Sequence, residues 1–204
     1  MTWLYRFGRA VLCPILRLIH RYRVDGLENL PAEGGVLLVA NHASWLDPPI
    51  LGCALSRPVH FMAKAELFKL PFLSWALPRI YAFPVRRGET DRSAIQTAID
   101  LLREGKVIGI FPEGTRTRTG ELLPPRRGAG LIALKANVPV IPVGIVGTYR
   151  AVRWRGLLPR FNRVVVRIGE PIDLSGLSGD EDAKERSDKA AAIMMESIAR
   201  LLKK

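Results

Sequence analysis

The chain has 204 residues, 48% of them hydrophobic, and a formal net charge of +12. This length suits one domain with a sizeable core, and the composition, with a mean hydropathy of +0.11, excludes a disordered chain. Charge or proline breaks every long apolar run, so a conventional membrane-spanning helix is not expected, and the basic surface should attract nucleic acid, anionic membrane or phosphorylated substrates.

Residues 1–21 predict an amphipathic helical segment. One helical stripe is apolar and aromatic, and consists of Trp3, Leu4, Phe7, Val11, Ile15 and Leu18. Arginines occupy other positions, and Pro14 is expected to kink or split the helix. The pattern is typical of a helix that lies in a membrane interface, although a helix packed on the domain's own core would look similar.

The remaining residues, 22–204, predict a single domain of mixed α/β architecture. Strand-like runs cover 22–26, 35–41, 59–63, 106–111, 138–147 and 163–169, with a further short run at 82–88. Helical stretches alternate with them near 44–55, 64–77, 91–104, 128–136 and 182–203. Because the strands are unbroken aliphatic runs, we expect a partly parallel sheet that is covered by helices. Two prolines indicate that 138–147 is an edge or bulged strand.

The stretch 67–83 is rich in large apolar residues but is interrupted by Pro71 and Pro78. The prolines exclude one long helix. The stretch is either a buried helix–turn unit of the core or an apolar surface beside a hydrophobic substrate, such as the lining of an acyl tunnel. The sequence leaves both interpretations open.

The two cysteines, Cys13 and Cys53, stand singly, without a CxxC partner or a neighbouring His/Cys cluster. They are predicted to be reduced, small apolar residues of an intracellular protein. Because no group of ligands has the required spacing, no metal site is predicted.

The segment VANHASWLD, residues 39–47, carries His42 at the end of a buried strand and Asp47 five residues later. Open α/β sheets place ligands at the carboxyl ends of their strands. Ser44 is predicted to cap the next helix, so that Asp47 lies in its first turn and its carboxylate can reach the imidazole. A carboxylate on one ring nitrogen leaves the other basic, as a general base requires. The alternative is a capped helix start with an incidental histidine.

A second buried strand, 106–111, leads into the turn PEGTRTRTG, 112–120. Gly114 frees the backbone there, and the hydroxyl and arginine side chains that follow make the turn a candidate anion cradle. An ordinary basic turn would have the same composition. Because the strands of a parallel sheet end at one edge, we expect this turn, His42 and the arginines after 82–85 to converge on one cleft.

Four segments then occur in order and with natural spacing: NHASWLD, FPVRR, FPEGTRT and VPVIPV. Together they resemble the four sequence blocks of the glycerophospholipid acyltransferase family, and they are most similar to its bacterial 1-acylglycerol-3-phosphate acyltransferases. The resemblance covers residues 22–175. Three positions depart from the family pattern, since Thr117 replaces a more usual serine, Tyr81 stands where glycine is common, and Arg126 occupies what is often a lysine. The departure at Tyr81 leaves Arg86 as an alternative to Arg87 in the second block.

The resemblance implies roles for individual residues. His42 would be the general base, and Asp47 the carboxylate that orients it. The implied acceptor-binding or geometry-setting residues are Arg87, Glu113, Gly114, Thr115, Arg116 and Arg126. Pro142 occupies the position that the family associates with the acyl donor.

The implied reaction moves a fatty acyl group from a thioester, acyl-CoA or acyl carrier protein, to the sn-2 hydroxyl of lysophosphatidate, giving phosphatidate for phospholipid synthesis. No cofactor beyond the thioester co-substrate is implied. Another acceptor, glycerol 3-phosphate or a lyso-aminolipid, is the nearest alternative. A non-enzymatic basic protein that binds membrane or nucleic acid is the alternative of a different class.

The same interpretation also predicts the cellular location of the protein. It would lie on the cytoplasmic face of the cell membrane as a peripheral or monotopic protein, held by an anionic membrane surface. Its partners would be a lysophospholipid acceptor and an acyl thioester donor, with acyl carrier protein as a candidate donor and no nucleic acid.

Overall fold

Seven strands form one mostly parallel sheet in the structure, a computed structural model that describes residues 1–86, 91–151, 163–177 and 182–203. The strands are β1 (Arg23–Asp25), β2 (Val36–Ala40), β3 (Val59–Lys64), β4 (Ala82–Val85), β5 (Val107–Ile110), β6 (Val140–Val146) and β7 (Val165–Ile168). Their order across the sheet is β1-β7-β6-β2-β5-β3-β4. Neighbouring strands are parallel except β6 and β7, which are antiparallel. The predicted α/β class with a partly parallel sheet is confirmed.

Helices cover both faces of this sheet. In the described part of the chain they are α1 (Trp3–His20), α2 (Asp47–Ala54), α3 (Pro71–Arg79), α4 (Arg92–Arg103), α5 (Arg127–Ala136), α6 (Thr148–Ala151) and α7 (Ala183–Lys203). α1 and α2 pack on the face that receives Leu38, and α4, α5 and α7 pack on the face that receives Leu37. Because successive side chains of β2 enter opposite cores, every position of that strand is apolar and buried.

α1 places its apolar stripe outside. Trp3, Phe7, Val11, Ile15 and Leu18 are all exposed, whereas the opposite side of the helix packs on the domain through Tyr5, Cys13, Leu16 and His20. The helix runs from Trp3 to His20 without a break, so Pro14 does not split it. Among the residues that the structure describes, no helix combines the length and the hydropathy needed to cross a membrane.

The expectation of two reduced cysteines is wrong, because Cys13 of α1 and Cys53 of α2 form a disulfide. Their Cα atoms are 5.5 Å apart, which is within the usual range for such a bond. The prediction failed because the cysteines are 40 positions apart in the sequence, and only the packing of α1 on α2 brings them together. The bond fastens the N-terminal helix to the helix that begins at Asp47.

β6 is an interior strand between β7 and β2, so of the two options predicted from its prolines, an edge or a bulged strand, the edge position is wrong. Pro139 lies just before the strand, and its carbonyl accepts the N–H of Leu37. Pro142 has no N–H to donate, but its carbonyl accepts the N–H of Gly169. Both prolines therefore serve the sheet as acceptors, which is how an interior strand tolerates them.

The apolar stretch 67–83 is mainly a surface. A 3₁₀ turn (Ala65–Lys69) and α3 replace the helix predicted over 64–77, and the chain breaks before Pro71, as expected for proline. No residue from 67 to 80 is buried, and the exposed large side chains are Leu67, Leu70, Phe72, Trp75 and Ile80. Of the two interpretations left open, the core helix–turn unit is therefore excluded for 67–80.

Candidate active site

His42 and Asp47 face each other at the carboxyl end of β2. His42 follows the strand by two residues, and Asp47 is the first residue of α2. His42 Nδ1 lies 2.8 Å from Asp47 Oδ2, and both side chains are buried, Asp47 fully so. The predicted pairing is present, and it occupies Nδ1 while it leaves Nε2 as the second ring nitrogen.

Asp47 also organises the turn that precedes α2. The backbone N–H groups of Ala43 and Ser44 each donate to Asp47 Oδ2 at 2.7 Å. The prediction that Ser44 caps the helix is wrong, because α2 begins only at Asp47 and no side chain caps it. Ser44 Oγ instead accepts the N–H of Leu46 within the turn. One carboxylate thus fixes both the imidazole and the backbone beside it.

The turn after β5 holds the main chain of His42. The His42 N–H donates to Glu113 Oε1 at 2.7 Å, and the Thr117 N–H donates to the His42 carbonyl at 2.9 Å. The other oxygen of Glu113 accepts the N–H of Leu123 at 2.9 Å. Burial raises the pKa of Glu113, while the two N–H donors act in the opposite direction. Both carboxylate oxygens are directed at backbone groups, so Glu113 ties three chain segments together.

A cavity of about 440 Å³ opens beside His42, where the ends of β4 and β5 meet the first turns of α4, α5 and α7. Large apolar side chains form much of its wall: Met62, Val85, Ile95, Ile110 and Ile132. Clefts with an apolar wall and a few polar groups are the usual form of small-molecule sites. This cavity can take a hydrocarbon chain and a polar group together.

Cationic side chains give the cavity its polar part. They are Arg86, Arg126, Arg127 and Lys184, and the carboxylates of Asp91 and Asp188 lie among them. The Arg86 backbone N–H and the Ser93 hydroxyl lower the pKa of Asp91 to about 2, and Asp91 also caps α4. Asp91 is therefore ionised at neutral pH, but four cations against two carboxylates leave the cavity an excess of positive charge that suits a phosphate.

Gly114 and Arg126, both predicted from the sequence, contact each other at this wall. Gly114 has a φ of +68°, and a Cβ there would lie 2.5 Å from Cδ of Arg126. The backbone conformation and the arginine stem both require glycine at this position. Because Gly114 has no side chain, the side chain of Arg126 can pass close to the Gly114 backbone along the cavity.

The predicted site residues divide into three groups. His42, Gly114 and Arg126 line the cavity, whereas Asp47 and Glu113 are buried outside its lining and Thr115 and Arg116 are exposed in the adjoining turn. Arg87 lies outside the described residues.

Sequence reasoning missed two of the four cavity cations, Arg127 and Lys184, and chose Arg87 over its neighbour Arg86. Arg86 and Arg127 each belong to an Arg-Arg pair, and the sequence does not tell which member of a pair faces a cavity. Lys184 carries no sequence signal, because only the packing of α7 on α5 brings it to this cavity.

The sequence model of the family described as Acyltransferase matches residues 21–146. The chain is 41% identical to a 1-acyl-sn-glycerol-3-phosphate acyltransferase of Bacillus subtilis (strain 168), in a match that covers 71% of this chain and 72% of that protein. It is 34% identical to a chloroplastic protein of the same name from Brassica napus, over 61% of this chain but only 37% of the longer plant protein.

A solved structure is similar as well. The crystal structure of the 1-acyl-sn-glycerophosphate (LPA) acyltransferase PlsC from Thermotoga maritima superposes with a TM-score of 0.68 at 28% sequence identity. The match covers 96% of this chain and 82% of the Thermotoga chain. The likeness therefore includes α7, which follows the residues that the family model matches.

Proposed function

The chain belongs to the acyltransferase family, and we propose that it moves a fatty acyl group from a thioester donor to the sn-2 hydroxyl of lysophosphatidate, giving phosphatidate. The observation that carries the proposal is the His42–Asp47 pair beside a cavity with apolar walls and an excess of cations. A phosphorylated lipid acceptor needs both, because its acyl chain requires an apolar wall and its phosphate requires cations. Membership of an enzyme family also sets aside the alternative of a non-enzymatic basic protein.

The proposed chemistry is direct transfer with His42 as the general base. With Nδ1 held by Asp47, Nε2 takes the proton from the acceptor hydroxyl as its oxygen attacks the thioester carbonyl carbon. The new C–O bond forms and the C–S bond breaks. The imidazolium then returns its proton to the departing thiolate, so the donor leaves as a thiol. Asp47 stabilises the imidazolium between the two proton transfers.

The cavity cations are proposed to bind the phosphate of the acceptor. Arg126 lies beside Gly114 on the same wall as His42, and Arg86, Arg127 and Lys184 add further donors. Arginine binds phosphate through two parallel N–H···O contacts, which fixes orientation as well as position. Holding the acceptor in this way turns a bimolecular encounter into an oriented one.

The remaining predicted acceptor residues have distinct proposed roles. Glu113 is proposed to set geometry rather than to bind substrate, since both of its oxygens accept backbone N–H groups. Thr115 and Arg116, exposed in the turn beside the cavity, and Arg87 stay predictions as ligands of the acceptor. The proposal includes no cofactor apart from the thioester co-substrate.

The exposed apolar side chains of α1 and α3 are proposed to rest on an anionic membrane at its cytoplasmic face. The two helices adjoin, because Thr2 N–H donates to the Tyr81 hydroxyl and Thr2 Oγ1 donates to the Arg79 carbonyl. The Arg79 guanidinium lies 4.7 Å from the centre of the Trp75 ring, a pairing suited to the headgroup region. Contact with the bilayer would bring a lipid acceptor to the cavity.

A competition assay tests the acceptor. Purified protein is given one acyl thioester and equal concentrations of lysophosphatidate, glycerol 3-phosphate and a lyso-aminolipid, and the acylated products are quantified. We expect phosphatidate to dominate, because only lysophosphatidate offers both an acyl chain and a terminal phosphate. Preferred acylation of either other acceptor would contradict the proposal. Repeating the assay with acyl-CoA and with acyl carrier protein identifies the donor.

A further inference from the structure

The imidazole of His42 belongs to a stack of three rings. The ring of Phe111 lies 4.0 Å from that of His42, centre to centre, with 17° between their planes. The ring of Phe61 lies 6.2 Å from that of Phe111, with 10° between their planes. The strands β2, β5 and β3 are neighbours in the sheet; Phe61 lies in β3, Phe111 directly follows β5, and His42 follows β2 by two residues. The rings are thus stacked across the strands.

A glycine makes room for this stack. Gly109 of β5 pairs in register with Phe61 of β3, and a Cβ on Gly109 would lie 2.5 Å from Cε1 of the Phe61 ring. Gly109 and Phe111 are two residues apart, so they project to the same face of the sheet. The ring of Phe61 therefore lies over Gly109 and beside Phe111, and even a methyl group at position 109 would displace it.

Asp47 alone does not define the direction of the second ring nitrogen. The hydrogen bond at Nδ1 constrains the position of that nitrogen more than the tilt of the imidazole plane, and a ring stacked on the face of the imidazole restricts this tilt. We propose that Phe111, supported by Phe61 over Gly109, is a positioning residue that fixes the plane of His42 and so aims Nε2 at the acceptor hydroxyl. This inference rests on the proposed role of His42 as the base.

The first test compares Phe111→Leu with Phe111→Tyr. Leucine keeps an apolar side chain but loses the flat ring, whereas tyrosine keeps the ring. Because a small misplacement of a reacting group can cost about 10²-fold, we expect Phe111→Leu to lower kcat by roughly 10- to 100-fold with KM for both substrates little changed. Phe111→Tyr should keep most of the wild-type kcat. Equal activity of the two variants, or a change confined to KM, would overturn the proposal.

The second test removes the support of the stack. Gly109→Ala should lower kcat in folded protein, because the methyl group displaces the ring of Phe61. Gly144→Ala is the matched control, since a Cβ there would lie 2.8 Å from Cβ of Leu201 in α7, away from the stacked rings. Both variants are assayed below their measured unfolding transitions. If Gly144→Ala lowers kcat as much as Gly109→Ala does, general crowding explains the loss and the proposal fails.

Two further readouts keep this inference separate from the proposed function. Ring-current shifts of the His42 imidazole protons, measured by NMR, should be lost in Phe111→Leu and kept in Phe111→Tyr, and their persistence in the leucine variant would contradict the stack. Wild-type protein that releases no thiol from an acyl thioester in the presence of lysophosphatidate would defeat the proposed function itself. A folded His42→Ala variant with the wild-type rate would defeat the role of His42 as the base. Wild-type kcat in Phe111→Leu would defeat only the positioning role.

Discussion

At the scale of single residues, His42 is fixed through its main chain and its side chain at once. Its N–H and its carbonyl are held by Glu113 and Thr117, and its Nδ1 by Asp47. Glu113 and Thr117 belong to the turn after β5, and Asp47 is the first residue of α2. The position of the proposed base therefore depends on the folded state. Short contacts from separate segments are the form that preorganised sites take.

The charge of Asp47 is testable without removing its hydrogen bonds. In Asp47→Asn the amide oxygen can still accept the N–H groups that Oδ2 accepts, so the turn before α2 should hold. The negative charge that stabilises the imidazolium is lost, and we expect kcat to fall on the order of 10²-fold in steady-state kinetics. Ser44→Ala is the control, because Ser44 Oγ only accepts a backbone N–H. An Asn variant as fast as that control would rule out a role for the charge.

At the scale of secondary structure, the cavity is where strand ends meet the first turns of helices. α7 reaches it because α5 and α7 approach closely, and a Cβ on Gly130 of α5 would lie 1.9 Å from the Ser187 carbonyl oxygen of α7. This packing carries Lys184 to the wall that also contains Arg126 and Arg127. α7 therefore adds one cation and one carboxylate, Lys184 and Asp188, to a site built mainly from the preceding segments.

Lys184 provides the element-scale prediction. If its ammonium group helps to hold a substrate phosphate, Lys184→Ala should raise the KM for one phosphate-bearing substrate by about 3- to 10-fold and leave kcat nearly unchanged, the size expected for one charge-assisted contact. Lys189→Ala is the matched control, because Lys189 pairs with Glu185 and does not line the cavity. Titrating donor and acceptor separately shows which substrate is affected. Unchanged KM values for both would exclude Lys184 as a ligand.

Three failures of the sequence predictions have a common physical origin. The strands were predictable because a sheet covered on both faces requires continuous aliphatic runs, and His42 and Asp47 because they are close in the chain. The Cys13–Cys53 bond, the interior place of β6 and the contact of Lys184 with the cavity all join segments distant in sequence. Local patterns carry no information on which distant segments meet.

At the scale of the whole molecule, α1 is attached to the domain at several points while its apolar stripe stays outside. The rings of Tyr5 and Tyr81 meet edge to face 5.0 Å apart, Arg9 donates to the carbonyls that end α2, and Cys13 is bonded to Cys53. Tyr81 has a φ of 64°, so the tyrosine accepts an unfavourable backbone conformation while its side chain contacts α1. These contacts hold the proposed membrane surface in a fixed relation to the cavity.

Vesicle binding tests that surface. Because both charge and apolar side chains are proposed to act, high salt should release much of the protein from anionic vesicles, and neutral vesicles should bind less at low salt. A Phe7→Ala/Phe72→Ala variant should bind more weakly in co-sedimentation, whereas Leu27→Ala, an exposed apolar residue outside α1 and α3, should bind like wild type. Equal binding to neutral and anionic vesicles at every salt concentration would contradict the electrostatic part.

The most direct measurement is acyl transfer to lysophosphatidate by His42→Ala, followed as thiol release from an acyl thioester. General-base catalysis is worth about 10²- to 10⁴-fold, so the account predicts a loss of that order in kcat, with a circular dichroism spectrum and an unfolding transition close to those of wild type. A correctly folded His42→Ala protein that transfers acyl groups at the wild-type rate would contradict the account.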